Sequence, residues 1–399
     1  MLLSQIKTDK DNSLNYMERL VNVGSKSGFS SIHTSSKETN PFTSDGFNAK
    51  IFVPYATQKV ERYGDIPNFC DLYAGDEFIF LHPDWLQVPS IKTDSLGKIY
   101  DGIRVIPTSS VRTVRVPNQK YYIKLCYPGK IGRIERDLKY PHLISGIEIT
   151  NLLFHMSEQN CSKFFSFMPE IGGKLYETSI SLGYIIREIL SDDYEYILIP
   201  AFSLFSTDTT TPNDPLLLTQ IMNNKRDKVS FLLNNICIPL IDIFFDCAFK
   251  EGLIPEMHSQ NILIAFDSEF NVKKILLRDL ESVDKDVSIR KKLGLSAFRS
   301  YPHKCIVQED EYYLIRHSFM YDYKLCEYLL DPLIECSSLT DDDKIGIKEK
   351  IRIHAKMRIC EWREPFFPLN NCWYKYPNTE IDRSTSKRPF LAFESPSYR

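Results

Sequence analysis

Two stretches of this chain hold residues whose types and spacing suit the binding of a polyanion and a divalent cation. The first is Ser110-x-Arg112-Thr113, followed after twelve residues by Lys124 and after twelve more by Arg136. Arginine offers a planar fork to phosphate or carboxylate oxygens, lysine a point charge, and the hydroxyls of Ser110 and Thr113 complete such a site. Pro117-Asn118 reads as a tight turn between two strands. If Val116 pairs with Tyr121, Thr113 lies opposite Lys124 on one face. Taken alone, such cations more often belong to a solvated sheet face.

The second stretch is Glu256-Met257-His258-Ser259-Gln260-Asn261, between a long apolar run and a strand. A hairpin over Asn261–Phe266 and Val272–Leu277 returns its ends together, which predicts that Asn261 and Asp279 lie close. Glu256, Asn261 and Asp279 are oxygen donors of the kind Mg²⁺ accepts, and His258 can donate to a phosphate. The ordinary reading is a polar turn capped by His and Asn. Five polar groups directly after an apolar helix, with a carboxylate across the hairpin, fit a metal–nucleotide site better.

Three features are weaker. Gly183 to Glu188 reads as a helix with Arg187 and Glu188 near one edge, ordinarily a helix salt bridge. His82-Pro83-Asp84-Trp85-Leu86-Gln87 reads as packing. Arg316 and Lys356, in a late helical stretch, can close over an anionic substrate, although each alone reads as a surface cation.

The elements that must position these residues change character along the chain. Residues 1–50 are polar, with loop composition at Gly24–Gly28 and Ser35–Pro41, and structure begins near Phe52. Short β-branched and aromatic runs bounded by Pro and Gly fill about 75–165. From about 145 the pattern turns helical, over Ile147–Glu158, Ile180–Leu190, Leu216–Met222 and Val229–Lys250, with Gly252 placed as a helix stop. Residues 311–360 are helical again, and the last forty are irregular. The fold class is α+β, since βαβ alternation is absent. A mainly antiparallel β part precedes a mainly α part with an inserted β-hairpin. The organisation expected is a reduced N-terminal region over 1–75, a β-rich region over 76–165 and an α-rich region over 166–399.

The bulk properties exclude several classes. The 399 residues carry 49 Lys+Arg against 52 Asp+Glu, a net charge of −3, so nothing electrostatic favours nucleic acid as a partner. Met1-Leu2-Leu3-Ser4 runs straight into charged residues, unlike a secretory leader. The apolar stretch Phe231–Phe249 contains Pro239, Asp242 and Asp246 and reads as a buried core helix rather than a membrane span. Ten scattered cysteines without a C-x-x-C pair fit reduced thiols in a cytoplasmic protein.

Taken in order, Ser110-x-Arg112-Thr113, Lys124, Arg136, Glu256-x-His258-x-Gln260-Asn261 and Arg278-Asp279-x-Glu281 resemble the NRPS-independent siderophore synthetases, the IucA/IucC family. The first four match that family's spacing without gaps. Gly183–Glu188 resembles its L-G-x-x-x-R-E helix, and His82-Pro83-x-Trp85-x-Gln87 a stretched H-P-W-Q segment. The resemblance covers roughly residues 80–360. It implies a hand-like fold and an ATP- and Mg²⁺-dependent synthetase, acting as a homodimer on small molecules. Such enzymes adenylate a citrate-like carboxylate and condense it with an amine or hydroxyl. Carried over, Ser110, Arg112, Thr113, Lys124, Arg136, His258 and Asn261 contact the ATP phosphates. Glu256, Asn261 and Asp279 hold Mg²⁺. Arg136 and His258 also face the substrate carboxylate, with Arg316 and Lys356 as further contacts, and Arg136, His258 and Lys124 carry the catalysis.

The chain also departs from the family pattern. The family's H-P-x-H-P-x-x-K segment has its nearest match at His33-Thr34-Ser35-Ser36-Lys37, and Gly132 replaces a threonine. These imply a shortened, divergent member. Two other readings compete. His258-x-x-Asn261 with Asp279 also resembles the catalytic-loop Asn and metal-binding Asp of a kinase-like small-molecule phosphotransferase, although no Gly-rich loop precedes Lys124. A paralogue that binds carboxylate or nucleotide without turnover is the third.

Overall fold

Hydrophobic runs that are buried on both faces form the centre of an eight-stranded sheet. The structure is a computed structural model that describes residues 1–25, 37–55, 57–67, 77–92, 96–131, 134–159, 161–178, 180–301, 303–375 and 390–399. His33 to Ser36 and Gly132 lie outside the described residues. The strands of this sheet are β1 (Phe47–Pro54), β2 (Val60–Gly64), β3 (Ile79–Leu81), β4 (Gly97–Pro107), β5 (Thr113–Arg115), β6 (Tyr121–Leu125), β8 (Glu170–Glu177) and β9 (Ser181–Glu188). Between β6 and β8 in the chain comes β7 (Phe165–Phe167), which joins a second sheet. The large sheet has the order β2-β8-β9-β6-β5-β4-β1-β3, and every pairing is antiparallel.

The second sheet runs β7-β12-β11-β10, with β10 at Ile197–Pro200, β11 at Ile262–Phe266 and β12 at Val272–Leu277. The β11–β12 hairpin is the one expected from sequence, with Ile262 opposite Leu277. Helix α3 (Tyr140–Ser157) packs on the large sheet, where the Thr150 hydroxyl donates to the Glu170 carbonyl and accepts from the Glu170 N–H. Helix α4 (Lys228–Glu251) contains two π-helical turns, at Leu233–Cys237 and Cys247–Glu251. It ends on Gly252 at φ 67°, a left-handed conformation that glycine adopts without strain. Among the described residues α4 alone is long and apolar enough to cross a membrane, and 78% of its most apolar window is buried in the protein. Helices α5 (Tyr313–Glu335, with Phe319–Leu330 in π geometry) and α6 (Asp341–Glu361) complete the α-rich part.

Two expectations need correction. Residues 181–188 form strand β9, not a helix. The run Leu182–Arg187 is buried throughout, between β8 and β6, so no polar face exists for a surface helix. The N-terminal stretch is also structured. Helices α1 (Leu3–Thr8) and α2 (Lys10–Leu20) bury Ile6, Leu14 and Met17 against the rest of the protein. Their apolar residues are too sparse to dominate the polar composition. In addition, the large sheet takes strands from both sides of the 145–165 stretch.

Candidate active site

The register of the large sheet sets charged residues in cross-strand rows. Thr113 lies opposite Lys124, and Lys124 opposite Ile185. One pleat away, Arg115, Tyr122 and Arg187 lie side by side. The Arg187 Nε donates to Glu170 Oε1 at 2.8 Å, and its terminal nitrogen pairs with Asp279. Helix α3 approaches this pair at Gly146, where any side chain would run into the Glu170 carboxylate.

The β4–β5 connection, Thr108 to Arg112, turns back on itself through its own hydroxyls. Thr108 Oγ1 donates to the Thr113 carbonyl at 2.7 Å, and the Thr113 N–H donates to Ser110 Oγ at 3.1 Å. Val111 sits at φ 63°, a strained place for a β-branched residue, and is wholly buried beside Tyr127 and Ile131. The loop thereby turns Ser110, Arg112 and Thr113 to one cavity. Across it, the Arg278 N–H donates to the Asn261 carbonyl at 2.9 Å, closing the hairpin as expected.

The cavity, about 680 Å³ counted to its open mouth, lies between the large sheet and the hairpin. Among the described residues, its cations are Arg112, Lys124, Arg136, Arg187 and Arg278, and its one carboxylate is Asp279. Ser110, Thr113 and Asn261 also line it, so the sequence-selected residues Ser110, Arg112, Thr113, Lys124, Arg136, Asn261 and Asp279 converge.

Lys124 Nζ lies 2.5 Å from both Asp279 and Glu281. Burial pulls Lys124 below the ordinary lysine value, against the upward pull of the two carboxylates. Burial works against ionisation of Asp279, but Lys124 and Arg187 hold it well below the usual carboxylate range. Glu281 is likewise brought down to about 2 against its burial, chiefly by Lys124. Arg136 differs. Its Nε is buried without a hydrogen-bond partner among the described residues, and burial beside Arg112 lowers its pKa. An unpaired buried guanidinium nitrogen is costly unless a ligand anion completes it.

Other selected residues stand off the cavity wall. Glu256 pairs with Lys324 at 2.7 Å, and its backbone carbonyl accepts from the Asn261 side chain at 3.0 Å. Glu256 falls to about 2, with Lys324 and His258 outweighing burial. His258 caps a short 3-10 turn, its Nδ1 accepting from the Gln260 N–H. Burial takes it down to about 4, despite Glu256, so the ring is neutral near pH 7. A neutral ring that accepts at Nδ1 carries its proton on Nε2. Arg316 is committed to a fork onto the buried Asp284, and Lys356 is exposed on α6. Neither lines the cavity. His82 is fully buried against Phe47 and Tyr127, as its packing reading expects.

Sequence reasoning missed four participants. Arg187 reads from sequence as a helix-edge residue, although a charge inside a wholly apolar β run is a signal of a buried, paired cation. Glu170 is its counter-ion. Arg278, noted only as part of a motif, lines the cavity and pairs with Glu18 of α2. Nothing local marks Glu18, which lies 260 residues away in the chain.

Residues 90–206 match the model of the IucA / IucC family. Over that segment the chain is similar to the IucA/IucC family. Its fold is shared with the petrobactin biosynthesis protein AsbB from Bacillus anthracis str. Sterne, at TM-score 0.72 and 15% identity over 99% of this chain and 77% of that one. Aerobactin synthetase IucA from a hypervirulent pathotype of Klebsiella pneumoniae superposes at TM-score 0.65 and 14% identity, over 99% of this chain and 80% of that one. The ATP-bound form of that IucA gives TM-score 0.66, also at 14% identity, over 99% and 80%. At such identities these likenesses establish the fold. No curated protein matches the sequence. The IucA/IucC segment contains β4 to β9, and with them Ser110, Arg112, Thr113, Lys124, Arg136 and Arg187.

Proposed function

We propose that this chain is an ATP- and Mg²⁺-dependent ligase of siderophore or related metabolite synthesis. It activates a citrate-like carboxylate as an acyl adenylate and joins it to an amine or hydroxyl. The carrying observation is the cavity where, among the described residues, five cationic side chains surround one carboxylate and the buried Arg136 Nε has no hydrogen-bond partner. It stands in a chain with the fold of an aerobactin synthetase solved with ATP and of a petrobactin biosynthesis protein.

The residues present fit a magnesium ion that is shared with a phosphate. Both cations on Asp279 hydrogen-bond Oδ1, and its Oδ2 has no hydrogen-bond partner among the described residues. The Asn261 amide nitrogen is used by Glu256, which leaves its carboxamide oxygen without one as well. Both residues line the cavity. Mg²⁺ commonly takes one or two protein oxygens plus phosphate and water. When bound, it would neutralise phosphate charge.

The chain's own groups then do three things. Arg112, Arg136 and Lys124 face the polyphosphate, where negative charge grows as a carboxylate oxygen attacks the α-phosphorus and pyrophosphate departs with the bonding pair. Because Lys124 and Arg187 are already fixed by buried carboxylates, little reorganisation accompanies that growth. The neutral His258, its proton on Nε2, is assigned to donate to a phosphate oxygen. Arg136 is assigned to the substrate carboxylate. In the second half-reaction the amine nitrogen attacks the acyl carbon, AMP leaves, and the nitrogen sheds a proton. No protein nucleophile is required; positioning and charge supply the effect.

A pyrophosphate-release screen across citrate, 2-oxoglutarate, succinate and their amides, with a diamine and amino-alcohol panel, tests this. Release of pyrophosphate with AMP is expected. Formation of ADP without pyrophosphate would overturn the reading.

A further inference from the structure

Glu256 is the one sequence-selected metal ligand whose carboxylate is taken by a protein cation outside the cavity wall. That cation is Lys324, in the π-helical stretch of α5. The i→i+5 spacing of a π turn brings Phe319 near Lys324 and Tyr323 near Tyr328. The Lys324 ammonium accordingly lies 5.3 Å from the Phe319 ring centre, 5.9 Å from Tyr323 and 5.7 Å from Tyr328. The two tyrosine hydroxyls hydrogen-bond at 2.9 Å, which fixes those rings relative to each other. Lys324 is thus held between a carboxylate and an aromatic rim, and the rim would still receive the ammonium if the carboxylate were lost.

We propose that Lys324 is a resident counter-cation for Glu256, and that a divalent ion reaches this carboxylate only by displacing the ammonium onto the aromatic rim. The contrast with Lys124 supports the assignment. Lys124 is 3% exposed, lies in a central strand and bridges two carboxylates. Lys324 is 18% exposed, faces one carboxylate, and Glu256 opposite it is 19% exposed. A flexible, partly solvated stem with an alternative partner is exchangeable; a strand-locked one is not. Lys324 therefore acts on metal affinity as a positioning residue, and it rests on the metal use proposed above.

The test is a Mn²⁺ titration followed by electron paramagnetic resonance, with and without β,γ-methylene-ATP. It compares the full chain with Lys324→Met, Lys324→Arg and the Lys324→Met/Glu256→Gln double variant, each checked for folding by circular dichroism. Lys324→Met should bind Mn²⁺ about tenfold more tightly, the difference of one charge-assisted contact. Lys324→Arg should stay at the parent value, and the double variant should lose the gain. Unchanged or weaker binding in Lys324→Met, a gain that survives Glu256→Gln, or no Mn²⁺ binding in any protein overturns the inference. The readout contains no turnover, so its failure is separate from failure of the pyrophosphate screen.

Discussion

Lys124 and Asp279, 155 residues apart in the chain, meet at 2.5 Å, and each also binds a second partner of opposite charge. The pair joins the large sheet to the hairpin sheet across the candidate site. Asp279 takes this place from a left-handed backbone at φ 68°, which Asp tolerates better than most residues.

Removing either partner should abolish ATP–pyrophosphate exchange, and at a cost in stability as well. Lys124→Ala leaves Asp279 and Glu281 short of a buried cation. Breaking a buried pair in this way costs about 3–5 kcal/mol. Asp279→Asn, which keeps the shape, should lose exchange while melting closer to the parent. Exchange assays alongside thermal melts decide this. Exchange retained in Asp279→Asn would remove Asp279 from the reaction.

Arg187→Lys separates charge from geometry. The guanidinium bridges Glu170 and Asp279 at once, and an ammonium cannot reproduce that fork. Exchange is expected to fall about tenfold or more, the scale of one lost charge-assisted hydrogen bond. Parent-like exchange in Arg187→Lys would show that charge alone suffices.

The helix α2 is expected to govern nucleotide affinity through Glu18 and Arg278. Glu18→Ala leaves Arg278 on the cavity wall without its counter-ion, so stability should drop by about 3 kcal/mol. Apparent KM for ATP should rise with it, and Glu18→Asp should recover part of both. Stability and KM equal to the parent would show that α2 only covers the site.

Acid should destabilise the protein in two stages. His82 and His258 are both lowered to about 4 by burial, so the folded state keeps them neutral where the unfolded chain protonates them. Between pH 6.5 and about 4 the unfolded state binds more protons, and stability falls as pH falls. Below about 4.5, Glu256 and Glu281, both held near 2, add a second loss as the unfolded carboxylates protonate first. Thermal melts from pH 7.5 to 3.5 should show both, and NMR titration of the His258 ring should show no midpoint near 6.5. A His258 midpoint at the ordinary value would contradict its neutral role.

How much of this was legible from sequence depends on the range of the signal. The β5–β6 and β11–β12 hairpins were read correctly down to the Thr113–Lys124 pairing, because turn chemistry and alternation are local. Strand β9 was misread, because Leu182–Ile186 is apolar on both faces and carries no period to separate strand from helix. The Glu18–Arg278 pair and the Lys324 place over Glu256 come from tertiary packing and a π-helical register. Neither has a counterpart in residue spacing along the chain.

The long separation between ion partners bears on biosynthesis. The large sheet is complete at Glu188, yet the carboxylates that balance Lys124 and Arg112 come from Asp279 and Glu281. At about 5–20 residues per second, the ribosome needs several seconds to deliver them. Through that interval the nascent sheet carries cations destined for burial without their carboxylates. Its late closure makes the stretch between Glu188 and Glu281 a point where a chaperone, or a free polyphosphate, can alter folding yield.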